Sequence, residues 1–340
     1  MIARPTGIAL PAAYEKSLAQ AAFHLFEISD RILIFAHQHP DADALGSALG
    51  LAHVLRGMGK HPVVASPDSP DAIYARFLPD VADVVTTLDG PPFDLVVALD
   101  AGDLSRYGDL YERHHDLVAA APIVNMDHHV TSPGIGAVHI IDTKAAATAE
   151  LLTLWLVQCG LEIDTIAARC FLAGIITDTR SFEFDATTAR TMLVGAYLLE
   201  RGARPLDIIK PMYRLHSIET TRLNALIMAT LGSDCDGRLV WSESTPAMYA
   251  AIGVSIGTHD EGVASYLVDI EGTGIAIFFR QVADDQVRLS VRTSGDYDAT
   301  KLTTRFGGGG HPRAAGCTIT ADLATAKRDA LAVARELLAQ

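Results

Sequence analysis

Short, almost wholly apolar runs recur along the first half of this chain, and most of them end in a residue that can bind a cation. Residues 31–36 read Arg-Ile-Leu-Ile-Phe-Ala, and similar runs occupy residues 61–66, 93–99 and 122–126. A strand that is apolar at every position has to be buried on both faces, which is the situation of a parallel strand covered by helices. Helical patterning fills the intervals, as over residues 45–58, where Gly59 stands at the point where a helix would stop. Strands alternating with helices predict an α/β fold with a doubly wound parallel sheet.

The chain has 340 residues, more than the ~250–300 at which single cores stop growing, so two domains are expected. Residues 14–28 pattern as an amphipathic helix. From residue 145 to 231 the pattern is mostly helical, with breaks at Gly160, Gly202 and Pro205. The last third changes character, with strand-like runs at 238–242, 274–282 and 286–293 and a closing amphipathic helix over 323–338. The expectation is a catalytic domain over residues 1–190, a helical linker over 191–215 and a smaller mixed α/β domain over 216–340.

No run approaches the ~20 consecutive apolar residues of a membrane span, and no leader pattern opens the chain. Cys159, Cys170, Cys235 and Cys317 are scattered, which argues against a disulfide framework or a structural zinc site and for a reducing cytoplasm. The net charge of −14 excludes non-specific binding of long nucleic acid, which needs many Lys and Arg contacts to phosphate. A short nucleotide remains compatible with it, if the acidic residues gather around cations that reverse the local field.

Four segments carry candidate chemistry. His37-Gln38-His39-Pro40-Asp41-Ala42-Asp43 follows the first strand, and the carboxyl ends of strands are where open α/β sheets bind ligands. Pro40 keeps His39 out of helical geometry, so a loop is expected there. The run over residues 93–99 is followed by Asp100 and that over 122–126 by Asp127-His128-His129; Gly174-Ile175-Ile176-Thr177-Asp178-Thr179 is a further apolar segment ending in a carboxylate. Taken singly, each has a plain structural explanation as a turn former, a cap or a solvated loop. Together they supply hard oxygen and imidazole ligands at positions that a parallel sheet would bring to one edge. Such a set suits two divalent ions ~3.5–4 Å apart and is a poor match to zinc, having no thiolates.

Phe306-Gly307-Gly308-Gly309-Gly310-His311-Pro312 is a fifth segment. Its glycines let backbone approach an anion closely, and His311 adds a donor. Just before it, Arg292, Thr293 and Ser294 end a strand with a guanidinium and two hydroxyls, plausible phosphate ligands. The second domain is therefore expected to act as a substrate clamp.

In order and spacing, these residues resemble the motifs of the DHH phosphoesterases: His37-x-x-x-Asp41-x-Asp43, Asp100, Asp127-His128-His129, Thr177-Asp178-Thr179 and residues 307–316, the last belonging to that family's C-terminal associated domain. Within the family the chain is similar to the oligoribonuclease/pAp-phosphatase branch. The resemblance implies two Mn²⁺ ions, with Mg²⁺ as the substitute, held by His37, Asp41, Asp43, Asp100, His128 and Asp178. Asp100 would bridge the ions, His128 and His129 would complete the catalytic set, and His129 would contact the scissile phosphate. Arg292, Ser294, Gly308, Gly309, Gly310 and His311 would hold the substrate, a short oligonucleotide or pAp. Arg180 and Thr293 depart from the family pattern, where glycine and serine are usual, at positions that bear on substrate preference. A homodimer is compatible with the sequence.

Three other activities fit the motifs less well. A membrane-bound cyclic-dinucleotide phosphodiesterase carries transmembrane and sensory segments for which this chain has no room. A processive exonuclease of the RecJ kind needs a basic channel, and a pyrophosphatase carries a different C-terminal domain. A non-catalytic nucleotide sensor on the same fold would have no need of a complete ligand set.

Overall fold

The computed structural model describes residues 7–260 and 262–339, and the chain divides into two units, the first ending at Leu215 and the second beginning at His216. The first unit runs α1 (Lys16–Ile28), β1 (Arg31–Phe35), α2 (Ala42–Gly57), β2 (His61–Ala65), β3 (Leu95–Leu99), α3 (Gly108–Arg113), α4 (His115–Ala119), β4 (Ile123–Asp127), β5 (Val138–Ile141), α5 (Thr148–Gln158), α6 (Thr165–Asp178), α7 (Ala189–Glu200) and α8 (Leu206–Ile209). Its five strands are all parallel, in the order β2-β1-β3-β4-β5.

Both faces of this sheet are covered, as continuous apolar runs require. Along β1, Ile32 and Ile34 join one core with residues of α1, α2, α5 and α6, while Leu33 and Phe35 join another with Tyr107, Leu110 and Val118. The expected doubly wound arrangement is therefore present. β5 was not anticipated from the sequence, being four residues long with a histidine inside it. The helices after residue 145 do not merely bridge outwards: Leu151, Leu154, Phe171, Val194 and Leu198 are all buried in the first unit's core.

The second unit contains α9 (Ile218–Met228), β6 (Gly232–Asp234), β7 (Leu239–Ser244), α10 (Pro246–Ile252), α11 (Val263–Val268), β8 (Ile275–Ala283), β9 (Gln286–Thr293), α12 (Thr300–Thr303), β10 (Gly309–His311), β11 (Ala314–Ile319) and α13 (Leu323–Leu338). Its mixed sheet has the order β10-β11-β9-β8-β7-β6, with β7 and β8 parallel and the other pairs antiparallel. Ile275, Ile277 and Phe279 pack with α12 and α13 on one face; Ala276 and Phe278 pack with α9, α10 and α11 on the other. Among the described residues no helix is long and apolar enough to cross a membrane, and the four cysteines are free thiols.

Candidate metal centre

The first ligand segment leaves β1 and turns at His39, whose φ of 51° is left-handed. Asp41 then caps α2: its Oδ1 accepts from the backbone N–H groups of Asp43 and Ala44, each at 3.0 Å. That cap starts the helix at Ala42, three residues before the periodicity alone suggests. The cap uses only Oδ1, and Asp41 Oδ2 has no hydrogen-bond partner among the described residues.

Asp43, the second residue of α2, is fully buried. Its two oxygens accept from Thr148 N at 2.7 Å and Ala149 N at 3.0 Å, the first N–H groups of α5. An aspartate at a helix N-terminus is favoured by the unpaired amides and the helix dipole. Close contact of α2 and α6 makes this possible. A Cβ on Gly46 would lie 2.4 Å from Cys170 O, and one on Gly174 would lie 2.3 Å from Asp43 Oδ1. Neither position has room for alanine.

Asp100 follows β3 in left-handed geometry, with φ of 57°. A non-glycine residue held there is strained, and such strain gathers where a side chain must be aimed. Asp100 Oδ2 lies 3.4 Å from His37 Nε2, and Oδ1 lies 3.5 Å from His128 Nε2. One carboxylate thus presents each of its oxygens to a different histidine. Thr148 holds it in place by donating its hydroxyl to Asp100 Oδ1 at 2.8 Å.

Both histidines are turned the same way. His37 Nδ1 lies 2.8 Å from Gln38 O and His128 Nδ1 lies 3.2 Å from Ala145 O. A carbonyl only accepts, so each Nδ1 carries a proton, and each Nε2 is the ring nitrogen turned towards the carboxylates, where a bound cation would take the place of its proton. Backbone carbonyls commonly fix metal-binding imidazoles in this manner. His128 Nε2 is also 3.3 Å from Asp178 Oδ2, yet it is buried without a hydrogen bond among the described residues.

Asp178 arrives from a different kind of element than the strand ends. It is the last residue of α6, and the threonines on either side of it serve the helix: Thr177 donates its hydroxyl to Ala173 O at 3.0 Å and buried Thr179 donates to Ile175 O. Arg180, Ser181 and Phe182 follow with φ of 47°, 62° and 70°, a left-handed turn that carries the chain away from the helix end.

Three sets of side chains come within metal-ligating reach: His37, Asp41 and Asp100; Asp43, His128 and Asp178; and Asp100, His128 and His129. The six residues expected to hold metal are all among them, with Asp178 grouped with Asp43 and His128. Crowding shows in the ionisation of the carboxyls. Burial, with Asp178 and Asp100 nearby, pushes Asp43 well above its ordinary range; Asp41 and Asp178 are raised as well, chiefly by burial. Burial pulls His128 down, but Asp178, Asp43 and Asp100 outweigh it and raise it to about 10. With their protons displaced by bound cations, these carboxyls and imidazoles would form a hard O/N donor set, which fits a pair of Mn²⁺ or Mg²⁺ ions.

His129 is half-exposed. Its Nδ1 donates to Asp127 Oδ1 at 2.8 Å and its backbone N–H reaches the same oxygen at 3.2 Å. The Asp127 carboxyl is held below the ordinary range by those bonds, against the effect of its burial. Asp127 therefore orients His129 and keeps its Nε2 available for a ligand. Thr148 and Asp127 are the residues that motif spacing left without a role. Thr148 carries no signal in the sequence, since its partners lie 48 and 105 residues away.

In the second unit, Arg292 lines a small cavity of about 110 Å³ together with Ser290, Arg280 and Asp260. Asp260 is buried and grips Arg280 through two bonds of 2.6 Å, so that guanidinium is neutralised. Arg292 is not: its one hydrogen bond among the described residues goes to Val291 O, and burial lowers its affinity for a proton. The Ser294 hydroxyl is committed to Thr273 O, whereas Ser290 lines the Arg292 cavity. Thr293 donates its hydroxyl to Pro312 O at 2.8 Å, tying the glycine segment to the end of β9. The glycines themselves let β10 close on β11: a Cβ on Gly308 would lie 2.2 Å from Gly316 O, and Gly310, with φ of 142°, would meet Ala314 O at 2.6 Å. Gly309 faces open space and His311 is exposed.

Comparison with known proteins agrees with this architecture. The family model described as the DHH family N-terminal domain matches residues 31–175, and the DHHA1 domain model matches residues 256–340. The "Bifunctional oligoribonuclease and PAP phosphatase NrnA" of Thermus thermophilus is 31% identical over 335 residues, 96% of this chain and 95% of that protein. The protein of the same description from Bacillus subtilis is 26% identical over 294 residues, 85% of this chain and 90% of its own length. The crystal structure of an exopolyphosphatase-related protein from Bacteroides fragilis shares the fold with a TM-score of 0.80 at 23% identity, covering 97% of each chain. Over nearly its whole length, this chain belongs to the DHH family, with the DHH domain in its first unit and the DHHA1 domain in its second.

Proposed function

We propose that this protein is a manganese-dependent phosphoesterase that hydrolyses short oligonucleotides and 3′,5′-bisphosphorylated adenosine (pAp). The carrying observation is Asp100, whose two oxygens face the Nε2 atoms of His37 and His128. That arrangement suits a carboxylate bridging two ions, with His37 and Asp41 on one side and Asp43, His128 and Asp178 on the other. Two ions held there would supply an activated water and would neutralise charge on the phosphoryl oxygens. The chain's own residues do the remainder. Thr148 and the α5 amides hold Asp100 and Asp43, and Asp127 aims His129 at the scissile phosphate.

Arg292 is assigned to a substrate phosphate, on the strength of a half-buried guanidinium that no carboxylate among the described residues neutralises. His311 and the Gly308–Gly310 backbone are assigned to the same substrate, with Gly309 the position left open. The names borne by the relatives support the substrate class, since both the 31% and the 26% identical proteins are described as oligoribonuclease and PAP phosphatase. Four free thiols are in keeping with a reducing cytoplasm.

The test is Mn²⁺-dependent turnover of pAp, pApA, cyclic di-AMP and RNAs of graded length by the purified protein. Hydrolysis of pAp and dinucleotides is expected, with rates falling beyond about five nucleotides, as for compact binding clefts. No manganese-dependent turnover of any member, or equal rates on a dinucleotide and a long RNA, would overturn the reading.

A further inference from the structure

The sheet face of the second unit that carries Ala276 and Phe278 is covered by α9, α10 and α11. Between α9 and α11 lies a second cavity, of about 390 Å³. Its wall includes Asn224, Ala225 and Met228 from α9 and Gly262, Val263 and Tyr266 at α11. A volume of that size lies within the ~300–1,000 Å³ typical of small-molecule sites.

Three features of this groove bear on what it could hold. The Tyr266 ring is 63% exposed, although α11 buries Val263, Ala264 and Leu267. Asn224 Oδ1 is shut off from solvent and has no hydrogen-bond partner among the described residues, an omission that native interiors seldom leave without a reason. Gly262 and Val263 line both this groove and the 110 Å³ cavity that contains Arg292. The groove and the anion cavity therefore share a wall.

That shared wall narrows the class of ligand. An occupant of both spaces carries an anion at one end and a mostly apolar body, with a few polar edge atoms, at the other. We propose that the groove is a nucleobase subsite, in which the base lies against Tyr266 and meets the Asn224 amide while the nucleotide's phosphate is held by Arg292. The assignment rests on the role given to Arg292 above and extends it from a phosphate contact to recognition of a whole nucleotide. A base stacks on an aromatic ring whatever its identity, so the subsite accepts all bases, and the amide ranks them.

Equilibrium binding by the full chain in EDTA tests this apart from the metal centre. Calorimetry is run with AMP and with ribose 5-phosphate, which has the same phosphate and sugar but no base. AMP is expected to bind the wild-type protein about tenfold or more tightly, the scale of one base–aromatic stack. Tyr266→Ala should bring AMP down to the level of ribose 5-phosphate and leave ribose 5-phosphate unchanged, while Tyr266→Phe keeps the preference. Arg292→Ala should weaken both ligands alike. Equal binding of the two ligands by the wild type, or a Tyr266→Ala protein that keeps its preference for AMP, overturns the nucleobase subsite. Undiminished ribose 5-phosphate binding by Arg292→Ala overturns the phosphate assignment instead, and with it the placement of the base.

Discussion

The hydroxyl of Thr148 donates to Asp100 Oδ1 at 2.8 Å, joining the first turn of α5 to the carboxylate at the end of β3. Asp100 already occupies a strained left-handed position, and this bond decides which way its oxygens point. Partners of metal ligands typically cost about 10–100-fold in metal affinity or activity when removed. Thr148→Val keeps the shape and removes the donor, so a loss on that scale is expected, with the melting temperature little changed. Manganese titration and steady-state kinetics on the variant check it. Unaltered metal affinity and turnover would show that Asp100 needs no support.

Asp100→Ala should be far more severe. Its loss leaves His37 and His128 without a shared partner while Asp41, Asp43 and Asp178 still repel one another. Turnover should disappear and bound manganese should fall below two per chain, with far-ultraviolet circular dichroism unchanged. A folded Asp100→Ala protein with near wild-type activity would rule out a bridging carboxylate.

Stability without metal should depend on pH in one direction. Asp43, Asp41 and Asp178 are raised above the ordinary carboxyl range, mainly by burial. A carboxyl raised in the folded state stabilises the fold fully below its unfolded pKa, and that contribution is lost as pH rises through the folded one. His128 acts the same way: its contribution is complete below the ordinary 6.5 and is lost as pH rises towards about 10. In EDTA the melting temperature should therefore fall as pH increases from 5 to 9. Manganese should restore it, and by more at high pH, because binding to the folded state alone adds stability. Asp43→Asn should flatten the decline. A melting temperature that climbs with pH in EDTA would contradict this account of the cluster.

Gly174→Ala tests how tightly α6 confines Asp43. The added Cβ would lie 2.3 Å from Asp43 Oδ1 and 2.8 Å from the Ala149 side chain. Overpacking of this kind costs about 1–3 kcal/mol, and here the strain falls on a carboxylate of the candidate metal centre. Both thermal stability and manganese affinity should drop. Loss of stability with metal affinity intact would mean that the helix pair yields without moving Asp43.

Arg292→Ala should leave the metal content alone and impair substrate use. Losing a charge-assisted phosphate contact costs about 1.5–3 kcal/mol, or one to two decades in kcat/KM. Metal stoichiometry measured beside the kinetics separates this from damage to the centre. Loss of manganese from the variant would remove Arg292 from the substrate role.

The parts of this protein that sequence alone determined are those governed by local pattern. The runs leading to Phe35, Leu99 and Met126 are legible as buried parallel strands because a strand covered on both faces must be apolar at every position. Once those strands are in place, His37, Asp100 and His128 fall at their carboxyl ends by chain continuity. Tertiary structure decided what depends on distant partners. Asp178 joins the cluster from the end of α6, because glycines at 46 and 174 let two helices close on each other. The segment Gly309–His311 becomes a strand only because β11 lies beside it, and a glycine run has no side-chain pattern to announce that pairing. Thr148 acquires its role from residues 48 and 105 positions away, and Asp260 acquires Arg280 from the neighbouring strand. Hydrogen bonds of that range are fixed by where the backbone has already been carried, and no local periodicity encodes them.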